Sequence, residues 1–292
     1  MATESIQFNL RSINSKASQD TVTLKYAPTL LPPNGDTDLS SVLLNFAPYK
    51  TWLTNLTTSL STQHDSSHPF KDAPFTLNSI TIQSIDYKGN KPDILFVKLK
   101  TEITNKDGDH IPGIALLRGG SVGMLVILED NETGDEWVPL TVQPRIPVGT
   151  LTMLELPAGM LDGSDQFAGQ AAKELKEECG LTIKQNELVD LGELAMGKDK
   201  AGLVPSAGGC DETIRLFMCR KKIGKDKIEE LKGKKGALYD KGEKITLEIV
   251  KLKDLWKSTQ DFKALAAWAL YKGLKDEGKI AKEISLWGSS SQ

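Results

Sequence analysis

Between Leu154 and Leu181 the chain reads LELPAGMLDGSDQFAGQAAKELKEECGL, and no other stretch restricts the fold so closely. At about 100° per residue, Ala168, Ala171, Ala172, Leu175 and Cys179 fall on one side of a helix, and Glu174, Glu177 and Glu178 on another. Asp162, Ser164 and Asp165 are capping residues at its start and Gly180 is its stop, which predicts a helix of about 14 residues with one buried stripe and one carboxylate edge. Carboxylates crowded into one turn repel each other unless a cation shares the site, and hard divalent ions such as magnesium or manganese suit oxygen donors. The competing reading is a solvated Glu/Lys face with Lys173 and Glu177 paired at i,i+4. Charge pattern alone does not separate the two.

The rest of the chain narrows the setting. Its 292 residues are enough for a sizeable core and for two domains. The formal net charge is -3 with Lys and Arg scattered, so a nucleic-acid backbone is not expected as the main partner. No apolar run approaches the roughly 18 residues of a membrane helix, and the first residues, MATESIQFNLRS, carry neither a basic head nor an apolar segment. No membrane association is expected. Cys179, Cys210 and Cys219 lack the close paired spacing of a metal site and read as thiols of a reducing compartment, so a cytoplasmic location is expected.

Along the chain, Thr21 to Tyr26 reads as a strand and Tyr49 to Leu60 as a helix carrying Trp52, Leu53, Leu56 and Leu60. His64 and His68 share a spacing open to a metal, but Pro69 and the serines around them favour a loop. Thr76 to Tyr87, Ile94 to Lys100 and Ile111 to Leu117 alternate like antiparallel strands between turn signals. This defines residues 1–110 as an N-terminal accessory or dimerisation region and 111–292 as the main domain. There, Val122 to Leu128 is a core strand, Trp137 to Gln143 its partner, and a third strand ends at Glu155. Leu188 to Leu194 and Thr213 to Cys219 also read as strands, the lysine-rich Ile223 to Asp240 as a mobile solvated insertion, and Thr246 to Val250 as the last strand. Asp261 caps a final helix through Phe262, Leu265, Ala266, Ala269, Leu270 and Leu274.

The constraining stretch resembles the Nudix box: Gly, five residues, Glu, seven residues, then Arg-Glu-aliphatic-any-Glu-Glu-any-Gly-aliphatic. Here the same spacing runs from Gly159 through Asp165 to Lys173-Glu174-Leu175-Lys176-Glu177-Glu178-Cys179-Gly180-Leu181, with Asp for the first Glu and Lys for Arg. The resemblance implies an α/β fold, a Nudix α/β/α sandwich with a mixed sheet, preceded by a small, mainly antiparallel β accessory domain. It implies magnesium, or manganese, held by Glu174, Glu178 and the Ala158 carbonyl, with Glu177 nearby. Gly242-Glu243-Lys244-Ile245 matches the family's Gly-Glu-x-Ile loop, which makes Glu243 the residue that orients or deprotonates water; Glu212 is the alternative.

The wider pattern is similar to ADP-sugar diphosphatases of the plant type. In that group an Arg after the second core strand helps hold substrate, and Arg145 occupies that place; a planar donor array suits a diphosphate. Ser206-Ala207-Gly208-Gly209-Cys210-Asp211-Glu212 resembles the corresponding substrate loop, with Ala207 where Pro is usual, and glycines there permit close backbone approach. Arg118 and Glu155 are placed with the same substrate-binding set. Trp137 is an adenine-stacking candidate or ordinary core, and Trp52 and Phe70 are others. The implied reaction takes ADP-glucose or ADP-ribose to AMP and a sugar phosphate, in a homodimer. A nucleotide-sugar sensor without turnover, and a Nudix hydrolase for other nucleoside diphosphate derivatives, are the alternatives.

Overall fold

The computed structural model describes residues 3–32, 38–89, 93–161, 167–237, 239–241 and 244–280. The chain divides into two units, residues 1–119 with 206–212, and 120–205 with 213–292.

In the first unit, β1 (Glu4–Asn9) and β2 (Thr21–Tyr26) are followed by α1 (Leu39–Leu44) and α2 (Ala47–Ser61), then β3 (Thr76–Tyr87), β4 (Ile94–Thr104) and β5 (His110–Leu117). They form a five-stranded sheet in the order β1-β2-β3-β4-β5. β2 and β3 run parallel, and the connection between them contains α1 and α2, as a parallel pair requires. The other pairs are antiparallel. Val22, Leu24 and Tyr26 alternate inward from β2, and Tyr49, Leu53 and Leu60 of α2 bury against that face. Two elements are additions to the sequence expectation: β1, and α1, whose six residues are too few to display a helical period. Asp38 starts α1 by accepting the Ser40 N–H at 3.0 Å.

β5 pairs with β4 along its whole length and so completes this sheet. Residues 206–212 return to the same unit: the Leu116 N–H donates to the Gly209 carbonyl at 2.9 Å, and Asp211 Oδ1 accepts the N–H groups of Arg118 at 2.7 Å and Gly119 at 3.2 Å. The division therefore falls after Gly119.

The second unit contains β6 (Ser121–Asp130), β7 (Glu136–Arg145), β8 (Thr150–Glu155), β9 (Ala158–Met160), α3 (Phe167–Cys179), β10 (Val189–Asp190), α4 (Leu191–Met196), β11 (Ile214–Ile223), α5 (Lys225–Leu231), β12 (Thr246–Lys251), α6 (Leu255–Ser258) and α7 (Phe262–Asp276). The sheet order is β10-β11-β6-β7-β12, with β8 on β7 and β9 on β6. β11 and β6 are parallel and the remaining pairs antiparallel, so the sheet is mixed. The period of two in β6 sorts its side chains between two cores. Val122, Met124, Val126 and Leu128 meet Ala171, Leu175 and Cys179 of α3 and Ile228 and Leu231 of α5. Leu125 and Ile127 meet Leu191, Leu255, Ala264, Ala267, Tyr271 and Leu274 on the other face. Each fully buried aliphatic side chain contributes roughly 1.5–3 kcal/mol, and helices cover both faces. This is the expected α/β/α sandwich.

Two expectations are corrected. Leu188 to Leu194 is not one strand: only Val189–Asp190 pair with β11, and α4 begins at once. Asp190 turns the chain because its Oδ1 accepts the Glu193 N–H at 2.8 Å while Oδ2 accepts Arg215 Nε at 2.6 Å, and a strand offers no such cap. Gly192 is required there, since a Cβ would lie 2.1 Å from the Ala201 carbonyl oxygen. The segment from Ile223 to Asp240 is also not simply a solvated insertion. It contains α5, whose Ile228 and Leu231, three residues apart on one face, dock into the core while the lysines stay outside. Among the described residues no helix is long and apolar enough to cross a membrane.

Candidate active site

Helix α3 ends as its sequence demands. Gly180 adopts φ +68°, its N–H reaching Lys176 O at 3.1 Å and that of Leu181 reaching Leu175 O at 3.2 Å. The acidic residues are not one exposed edge, however. Glu178 is 5% exposed and lies on the buried side with Ala171, Leu175 and Cys179. Burying a carboxylate is costly without partners, and the Ala158 N–H donates to Glu178 Oε2 at 3.0 Å. Glu174, one turn earlier, is half-buried and its Oε1 accepts Gln170 Nε2 at 2.6 Å. It lies directly on Gly159 of β9, where an added Cβ would meet Oε1 at 2.0 Å and Cδ at 2.1 Å. The glycine opening the box is thus a place for the Glu174 carboxylate. Its neighbours Ala158 and Gly159 are fixed by pairing with Gly123 and Val122 of β6.

Glu174, Glu178, Ala158 and Gly159 line a cleft of about 410 Å³ together with Gln143, Arg145 and Lys244. Arg145, the last residue of β7, donates Nε to Glu155 Oε2 at 2.6 Å. Glu155 is buried, and its Oε1 lies 3.3 Å from Lys263 Nζ, so its carboxylate serves two cations of this chain and does not line the cleft. Lys263 also pairs with Asp261 at 2.9 Å. Asp261 caps α7 as expected, accepting the Lys263 N–H at 3.1 Å, and its second oxygen accepts the Leu156 N–H at 2.9 Å. Lys244, Gln170 and Lys263 were not signalled by the sequence; Lys244 adjoins Glu243, which was the one available pointer.

Other candidates sit elsewhere. Trp137 begins near the opposite end of β7 from Arg145, packs on the core shared with α3, and carries Lys251 Nζ 5.0 Å above its ring. Glu177 is half-buried, does not line the cleft, and has no side-chain partner among the described residues. Lys173 is exposed, and the expected pair with Glu177 is not made among the described residues. Arg118, Gly208, Gly209 and Glu212 belong to the first unit, where Arg118 Nη1 pairs with Glu212 Oε2 at 3.1 Å. Glu243 and its neighbour Gly242, and the cap candidates Asp162, Ser164 and Asp165, lie outside the described residues.

Gly208 and Gly209 meet no intrachain requirement: neither has positive φ, nothing lies within 4 Å of a Cβ at Gly208, and at Gly209 the nearest atom is Ser206 Oγ at 3.8 Å. Gly208→Ala is accordingly expected to keep its thermal midpoint, with a stability change within about 0.5 kcal/mol. A fall in substrate affinity at unchanged midpoint would assign the glycine to ligand approach.

The thiols differ by environment. Burial, and then the neighbouring Glu178 carboxylate, push the Cys179 thiol far up, and burial pushes Cys219 up to about 12. Cys210 is half-buried. Alkylation near neutral pH is expected to modify Cys210 alone in the folded protein, and all three cysteines after unfolding, read by mass shift.

Among the described residues no group of three or more His, Cys, Asp or Glu closes on a single point. Two carboxylates do meet the Ala158 segment in one cleft. These hard oxygen donors fit a magnesium-type ion, which takes one or two protein carboxylates and completes its shell with water and substrate phosphate.

No family model matches the chain. "Nudix hydrolase 14, chloroplastic" of Arabidopsis thaliana is 35% identical over 237 residues, covering 80% of this chain and 73% of that protein. "Putative nudix hydrolase 2" of Caenorhabditis elegans is 41% identical over 58 residues, 20% of this chain and 26% of that protein. A solved structure described as "Crystal structure of ADP compounds hydrolase" has 16% identity and a TM-score of 0.45, covering 70% of this chain and 98% of the other. The identity and coverage shared with the Arabidopsis protein establish that the chain belongs to the Nudix hydrolase family. Its general activity is hydrolysis of a nucleotide diphosphate.

Proposed function

We propose that the protein hydrolyses ADP-sugars such as ADP-glucose and ADP-ribose at the diphosphate, with magnesium or manganese as cofactor. Water adds to one phosphorus, the bridging P–O bond breaks, and the leaving oxygen keeps the electron pair, giving AMP with glucose 1-phosphate or ribose 5-phosphate. The observation that carries this reading is the meeting of two carboxylates with Arg145 in one cleft. Carboxylates alone would repel a diphosphate, whereas an arginine beside them supplies the forked donors that one accepts.

Glu174, Glu178 and the Ala158 carbonyl would hold the metal. When bound, the ion neutralises phosphate charge and lowers the pKa of a water. Arg145 orients the diphosphate, and Lys244, whose ammonium donates to the Tyr239 carbonyl at 3.1 Å, also lines the cleft. Glu243 takes the water's proton, a role that rests on its Gly-Glu-x-Ile match. A homodimer in the cytoplasm completes the reading, with light scattering as the check on mass. The deciding experiment is a panel of ADP-glucose, ADP-ribose, NADH, GDP-mannose and nucleoside triphosphates with and without magnesium. Magnesium-dependent AMP from the ADP-sugars is expected; preferential turnover of triphosphates, or binding without turnover, would replace this reading.

A further inference from the structure

Four charged side chains form a line that ends at the cleft. Asp261 Oδ1 pairs with Lys263 Nζ at 2.9 Å, Lys263 Nζ lies 3.3 Å from Glu155 Oε1, and Glu155 Oε2 accepts Arg145 Nε at 2.6 Å. Of the four, Arg145 alone lines the cleft. The Lys263 and Glu155 side chains are 13% and 8% exposed, so salt and water screen their attraction little.

The arrangement divides the work of the arginine. Among the described residues, Glu155 is the one hydrogen-bond or ion-pair partner of Arg145, and it engages Nε. The two terminal nitrogens, the fork that grips a carboxylate or phosphate, make no hydrogen bond among the described residues. A lone buried carboxylate would fix the guanidinium but cancel its charge. Lys263 offsets part of the Glu155 charge through the other carboxylate oxygen, and it is shared with Asp261, which also accepts the Leu156 N–H and, at the start of α7, the Lys263 N–H.

We infer that Lys263 is a positioning residue for Arg145: through Glu155 it fixes the guanidinium and leaves the positive charge of the arginine to an anionic ligand. The ligand's identity as a diphosphate rests on the proposed function, whereas the charge line does not. Lys263 does not line the cleft, and its effect is read in affinity.

The test measures ADP binding with magnesium by calorimetry, alongside KM and kcat for ADP-ribose, in the full chain. Lys263→Gln is expected to raise the ADP Kd and the KM about tenfold, as loss of an outer partner of a ligand-holding group does, with kcat held within about twofold. Lys263→Arg is expected to restore both. The double variant Glu155→Gln/Lys263→Gln removes the uncompensated carboxylate and is expected to bind ADP more tightly than Lys263→Gln alone. It also keeps the question open to measurement if the single variant does not fold. Wild-type ADP affinity in Lys263→Gln, or a double variant weaker than the single, would overturn the inference. A wild type that binds ADP but turns over no ADP-sugar defeats the substrate reading, and the binding arm still decides Lys263.

Discussion

Replacing Glu178 with glutamine is expected to lower kcat about a thousandfold at saturating magnesium, since a metal contributes several kcal/mol to charge stabilisation in the transition state and each 1.36 kcal/mol is a factor of ten. Folding should survive. The amide keeps an oxygen to accept the Ala158 N–H, which donates to Glu178 at 3.0 Å, and the side-chain volume is conserved. Removing a buried charge and retaining its hydrogen bond is close to neutral for stability, within about 1 kcal/mol. AMP release and the thermal midpoint, measured on the same preparation, check both halves. An unchanged kcat would remove Glu178 from the proposed metal donor set, and a collapsed midpoint would make its role structural.

Gly159→Ala should separate activity from stability in another way. The glycine does not have positive φ, so alanine meets no backbone penalty there; the obstacle is Glu174, whose Oε1 would lie 2.0 Å from the new Cβ. Glu174 is half-buried and flexible at its end, so it swings away at a cost of roughly 1 kcal/mol or less. Its carboxylate then leaves the place beside Ala158, and a misplacement of about 1 Å at a reacting site costs on the order of a hundredfold in rate. The expected result is a folded enzyme with about one per cent of its turnover. Loss of the fold, or full activity, would show that the Gly159–Glu174 contact does not position the carboxylate.

The sequence was informative wherever the signal was local. Thr21–Tyr26 and the first residues of Thr76–Tyr87 repeat with period two, and the α7 cap at Asp261 is a short-range hydrogen bond. The box spacing singled out Glu174 and Glu178, which line one cleft, but not which of them would be buried, because that depends on β9 covering the helix. At Asp190 a strand-like pattern gave way to a cap held from β11 by Arg215, whose place in the sheet is not written near residue 190. Lys263 was invisible for the same reason. It stands 108 residues from Glu155, and only the stacking of α7 on the sheet brings an ordinary helix lysine to a buried carboxylate.

The return of residues 206–212 to the first unit has a bearing on the order in which a ribosome can finish the protein. Domains generally form as units while the chain emerges. Here the first sheet is laid down early, yet the companion of β5 at Leu116, the Gly209 carbonyl, and the acceptor for the Arg118 and Gly119 N–H groups, Asp211, are made only after residues 120–205. β5 is the edge strand of that sheet, with Ile111, Ile114 and Leu116 exposed, the kind of surface that joins other chains. The nascent protein therefore lacks these partners of β5 through much of its synthesis, and the first unit is complete only after residues 120–205 of the second have been made.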